Sequence, residues 1–149
     1  MNWNTGEQEL IPAGTYKVEI QKWEDCPAST GTPQIRWYAT IIDGPYVGVT
    51  LLEHTATSEK ALWRVAKFVS SCGVKVNALP EMQVGSELFN RVLDTCRGRQ
   101  VNWLIEVSTY NGKKKNKPLD YIREAEQPDI DVEVGLEEEP DFLKEKDVV

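Results

Sequence analysis

The hydrophobic pattern of this chain changes period twice along its length, and the order of those changes restricts the fold more than any other sequence feature. Behind Gly14, Tyr16, Val18 and Ile20 alternate with Lys17, Glu19 and Gln21, the period-2 signature of a strand with one face on a core. The strand runs on to Trp23, and Cys26 to Pro33 follows as a loop rich in Pro, Gly, Ser and Thr. A second alternation sets Ile35, Trp37, Ala39 and Ile41 against Arg36, Tyr38 and Thr40, and Asp43-Gly44-Pro45 closes it. A third, Thr-rich run from Gly48 to about His54 pairs back on the second as a hairpin. The period then becomes helical. Leu62, Val65, Ala66 and Val69 recur behind Thr57 or Ser58, either of which can cap the first turn, and Gly73 ends the helix. Val74 to Gly85 reads as loop. Ser86, ahead of Leu88, Phe89, Val92 and Leu93, opens a shorter helix that stops near Gly98. Period 2 returns with Val101, Trp103, Ile105 and Val107 against Asn102, Glu106 and Ser108; Asn111-Gly112 makes a hairpin turn, and Leu119 to Ile122 comes back.

Three strands, helices, then two strands predict a mainly β protein: a five-stranded oligonucleotide/oligosaccharide-binding (OB) barrel with a helical insert between strands 3 and 4. An open α+β sheet with the same element order is the alternative. Residues 1–13 form a polar N-terminal arm ending in Pro12, residues 14–123 the domain, and residues 124–149 an acidic tail expected to be disordered. Trp37 and Trp103 lie on the core side of their strands, and Trp63 is expected to pin the first helix to the barrel.

Charge divides at the same boundary. Up to Arg123 there are fifteen Lys and Arg against thirteen Asp and Glu, a net of +2; from Glu124 onward there are two against eleven, a net of −9. A basic body that carries its own polyanion is suited to handling another polyanion, so nucleic acid is the first partner to consider. No secretory signal opens the sequence and no apolar run approaches the roughly twenty residues of a membrane span, so a soluble, cytoplasmic protein is expected. Cys26, Cys72 and Cys96 are odd in number and widely spaced, which argues for reduced thiols and against a zinc site. No phosphate loop, zinc-protease pair or nucleophile elbow occurs, and His54, the one histidine, reads as a surface residue. The expectation is a non-enzymatic protein with no metal or cofactor.

The most chemically specific stretch is the last hairpin, where Lys113, Lys114, Lys115 and Lys117 lie between Tyr110 and Tyr121. In an OB barrel the loop joining strands 4 and 5 borders the binding groove, so these lysines would meet phosphates. Aromatic side chains beside such a groove can stack on bases without reading sequence. Arg36 and Tyr38 lie on the outer face of strand 2, where that barrel presents its ligand surface. Lys22 and Trp23 lie where the other bordering loop begins, with stacking and packing both open for Trp23.

Gly14-Thr15-Tyr16, Asp43-Gly44-Pro45-Tyr46-Val47-Gly48, Glu59-Lys60-Ala61-Leu62-Trp63-Arg64 and Tyr110-Asn111-Gly112-Lys113, taken in order, resemble a family of small bacteriophage proteins. That family was formerly catalogued as uncharacterised and is associated with replication and recombination genes. The resemblance covers about Gly14 to Arg123 and implies an OB-fold single-stranded DNA-binding protein in the host cell cytoplasm. Such proteins often end in an acidic tail with a terminal Phe that docks on partner enzymes. Here Glu137, Glu138, Glu139 and Asp141 precede Phe142 and Leu143, but six further residues follow. An internal docking motif for replication or recombination proteins, and autoinhibition by the tail, both remain open, as does homo-oligomer formation. The rival reading is an acidic interaction module or DNA mimic that inhibits a DNA-processing enzyme.

Overall fold

The computed structural model describes residues 10–132. In chain order its elements are β1 (Gly14–Asp25), β2 (Gln34–Ile41), β3 (Thr50–Ala56), α1 (Leu62–Ser71), β4 (Val74–Val76), α2 (Glu87–Thr95), β5 (Gln100–Tyr110), β6 (Lys113–Arg123) and β7 (Ile130–Val132). Five strands form an antiparallel sheet in the order β3-β2-β1-β5-β6. Alternate residues on its concave side, among them Val18, Ile20, Ile35, Trp37, Leu51, Val101, Trp103 and Ile105, are buried in one core. The α1 helix seals that core from below. Its Phe68 stacks on Trp37 at 4.1 Å and meets Trp103 and Tyr121 edge-on at 6.1 and 4.9 Å. Such aromatic contacts add about 0.5–1.5 kcal/mol each beyond the area they bury.

The two edges of the sheet, β3 and β6, are brought together by side chains. The Tyr121 hydroxyl donates to Glu53 Oε2, and Arg64 of α1 donates to the same oxygen at 3.2 Å. The sheet thus curls into a five-stranded OB-type barrel with the helical insert between its third and fourth strands, β3 and β5.

Four details depart from the sequence expectations. Trp63 does not pin α1: it is 61% exposed, and Leu62, Val65, Phe68 and Val69 hold the helix instead. Neither Thr57 nor Ser58 caps α1 directly. A 3-10 turn at Glu59–Ala61 precedes the helix, and Ser58 makes no side-chain capping bond, whereas Ser86 Oγ does accept the Phe89 N–H at 3.1 Å to open α2.

The stretch after Gly73 is not a plain loop, because β4 pairs in parallel with β7 and a 3-10 turn follows at Leu79–Glu81. The acidic segment therefore does not leave the body at Arg123. Gln127 donates to the carbonyls of Gln100 at 2.8 Å and Cys72 at 3.3 Å and accepts the Gln100 N–H at 2.7 Å, while Ile130 N–H donates to Gly73 O at 2.8 Å. Gly73 is required at that junction: its φ is +78°, and a Cβ there would lie 2.7 Å from Arg99 Nη2. The N-terminal arm is likewise docked by its end. Ile11 is buried, and the Asn116 side chain of β6 accepts from its N–H at 2.9 Å and donates to its carbonyl at 2.8 Å.

Candidate nucleic-acid interface

A bulge in β1 builds the outer face of the barrel. The register with β2 shifts between Ile20 and Lys22, so Gln21 is an extra residue and the inside-outside parity reverses beyond it. Trp23 then pairs with Trp37 on the core side, while Lys22 pairs with Tyr38 and Glu24 with Arg36 on the outside. β3 extends both rows, setting Leu52 beside Tyr38 and His54 beside Arg36. The rows Lys22-Tyr38-Leu52 and Glu24-Arg36-His54 lie next to each other across three strands.

These side chains form one network. The Tyr38 hydroxyl donates to Glu24 Oε2 at 2.7 Å; Arg36 Nη1 lies 3.3 Å from the same oxygen and 3.2 Å from the Tyr38 hydroxyl. Arg36 Nε donates to His54 Nε2 at 3.2 Å. Since a guanidinium can only donate, His54 accepts through Nε2 and is neutral in this arrangement. The Lys22 ammonium sits 4.5 Å from the centre of the Tyr38 ring, a cation–π contact that covers one face of the ring. The Tyr38 hydroxyl, and then the charges of Lys22 and Arg36, hold the Glu24 carboxyl below its ordinary value. Burial, and then the charges of Arg36 and Lys115, hold the His54 imidazole below its own. Lys115 belongs to the last hairpin. That hairpin leads into β6, whose Tyr121 meets Glu53 of β3.

The hairpin turns at Asn111 and Gly112, with φ of +53° and +79°, the double left-handed geometry of a type I′ turn. β6 starts directly after it, so the lysines are strand residues rather than a loose tip. Cross-strand pairing sets Lys113 opposite Tyr110, Lys115 opposite Ser108 and Lys117 opposite Glu106, all on one face; Lys114, opposite Thr109, faces the other way with Asn116. All four lysines are exposed.

Two aromatic candidates occupy other places. Tyr121 is a core residue, 5% exposed, with its hydroxyl committed to Glu53, because the bulge at Leu119 turns it inward beside Trp103. It is not available for stacking on bases. Trp23 packs against the core with its indole N–H donated to Asp94 of α2 at 2.8 Å, so of the two roles left open for it the structure displays packing. The tail candidates Glu137, Glu138, Glu139, Asp141, Phe142 and Leu143 lie outside the described residues. Glu24 and His54, which sequence reasoning passed over, sit at the centre of the face. The available signal was the adjacent polar pair Gln21-Lys22, which interrupts the alternation where a bulge reverses it.

Among the described residues no group of three or more His, Cys, Asp or Glu side chains is arranged to hold a metal ion, and no helix is long and apolar enough to cross a membrane. No curated protein matches the chain in sequence. Among solved structures, a yeast RPA bound to ssDNA superposes over 97% of this chain and 90% of its own, at 12% identity and a TM-score of 0.40. The family model described as "Protein of unknown function (DUF669)" matches residues 2–128, and the chain belongs to that family.

Proposed function

We propose that this protein binds single-stranded DNA without catalysing a reaction, coating strands exposed during phage replication or recombination in the host cytoplasm. The observation that carries the reading is the convergence of Lys22, Arg36, Tyr38 and His54 from three strands on the outer face of an OB-type barrel whose last hairpin exposes four lysines. Lysines and arginines there capture phosphates, and the exposed edge of Tyr38 gives a base an aromatic contact once Lys22 slides aside. Residues 133–149 act as an intramolecular polyanion or as a docking segment for a replication or recombination partner.

A second reading, an acidic interaction module, draws on the modest +2 of the body and on the carboxylate of Glu24 within the face. Fluorescence anisotropy at about 50 mM salt with labelled oligo-dT, the matching duplex and an RNA of the same length separates the two. Preference for oligo-dT over duplex supports DNA coating; no binding of any of the three up to tens of micromolar protein favours the interaction module.

A further inference from the structure

The central anion of the outer face is the protein's own. Glu24 Oε2 receives the Tyr38 hydroxyl at 2.7 Å and Arg36 Nη1 at 3.3 Å, the same kinds of donors that a phosphate oxygen takes. Arg36 of β2 and Tyr38 beside it hold that oxygen, Lys22 of β1 lies over the Tyr38 ring, and His54 of β3 accepts the Arg36 Nε–H on the far side. Neither partner of the ion pair is deeply buried, with 32% of the Arg36 side chain and 41% of the Glu24 side chain exposed. Exposed pairs of this kind contribute little stability, so exchanging one anion for another there costs little. Glu24 is also the penultimate residue of β1, next to the loop at residues 26–33.

We propose that Arg36, Tyr38 and Lys22 form a phosphodiester subsite in which the Glu24 carboxylate is the resident anion, displaced when a nucleic-acid phosphate enters. The inference rests on the nucleic-acid reading above and adds a specific competitor to it. Displacement frees Arg36 Nη1 and the Tyr38 hydroxyl to donate to the phosphate, while Arg36 Nε stays on His54, which keeps the guanidinium in place. Glu24 thereby lowers affinity for any polyanion and sets a threshold that only a ligand with several properly spaced phosphates passes.

The test uses the full chain and labelled oligo-dT. Glu24→Gln keeps an acceptor for Tyr38 and Arg36 but removes the charge. The expected result is a threefold to tenfold gain in affinity at about 50 mM salt, with a salt slope steeper by about 0.7, because one more phosphate contact now releases its counterion without a carboxylate having to regain one. The gain should vanish in an Arg36→Gln background, since coupled residues are non-additive. Weaker binding by Glu24→Gln would show that Glu24 positions Arg36 and Tyr38 instead. An equal gain in the Arg36→Gln background would reduce the effect to general charge. Either result overturns the subsite while leaving strand binding by the parent intact, whereas a parent that binds no oligo-dT overturns the nucleic-acid reading itself.

Discussion

His54 is the only histidine in the chain, so its titration can be read without interference from another imidazole. Its folded-state value lies below the ordinary one, chiefly through burial and then through Arg36 and Lys115. The unfolded chain therefore takes up the proton first, near pH 6.5, while the folded protein resists it. Stability should fall as pH drops from 8 through about 6.5, and His54→Gln should flatten that part of the profile; urea midpoints across this range check it, and an unchanged profile in the variant would contradict the assignment. Tyr38 gives the second prediction at this scale. Its hydroxyl organises Arg36 and Glu24 and its ring carries Lys22, all on the surface. Tyr38→Ala should leave the unfolding free energy from urea titration within about 0.5 kcal/mol of the parent's. It should weaken oligo-dT binding by about 1–3 kcal/mol in an anisotropy titration, with the salt slope retained.

At the scale of elements, the seam between β3 and β6 is held by one buried polar group rather than by a backbone ladder. Burial pushes the Glu53 carboxyl up, while the Tyr121 hydroxyl, the His54 backbone N–H and Arg64 pull it back. Glu53→Ala leaves the buried Tyr121 hydroxyl without its acceptor, while Arg64, a third exposed, can turn to solvent, and it should cost about 1–3 kcal/mol. A shift of the urea midpoint with unchanged slope is the expected readout. The elements themselves were largely legible in the sequence, because alternation and helical spacing report directly which faces are buried. β2 follows its alternation from end to end and β5 does so as far as Ile105, beyond which Val107 is exposed, and Asn111-Gly112 makes the turn its residue types require. On β1 and β6 the alternation breaks down where one extra residue reverses parity. Strict alternation carried past Ile20 sends Lys22 inward and Trp23 outward, and the same logic on β6 leaves Tyr121 available to ligand, yet bulges at Gln21 and Leu119 invert both. Packing against α1 and α2 selects those bulges, and a single strand's pattern holds little of that information.

For the whole molecule, the division of charge along the chain is real, but the structural boundary falls later than the compositional one. Glu124 pairs with Lys17 at 3.6 Å, and Asp129 pairs with Lys75 at 3.2 Å and with Arg123, so part of the acidic segment neutralises the body before the chain passes Val132. The short Ile130-Asp131-Val132 alternation was the only sign of this in the sequence, and its partner strand, β4, is equally short. Two truncations should therefore behave differently. Ending the chain after Arg123 removes β7 and the Gln127 bridges and should lower the thermal midpoint, whereas ending it after Val132 should leave that midpoint unchanged. The second truncation should also bind oligo-dT more tightly at low salt, since the remaining polyanion no longer competes from an effective concentration of about the millimolar range. Unchanged affinity in that shortened chain would remove the competitor role.

The central claim is that the last hairpin and the outer β2–β3 face capture a single strand through its phosphates. Its most direct test is the salt dependence of oligo-dT affinity, compared between the parent and a variant with Lys113, Lys114, Lys115 and Lys117 all replaced by Ala. Log affinity of the parent should fall linearly with log salt, at about −0.7 per phosphate contacted, and the variant should bind more weakly with a flatter slope. A variant that matches the parent in both affinity and slope would contradict the account.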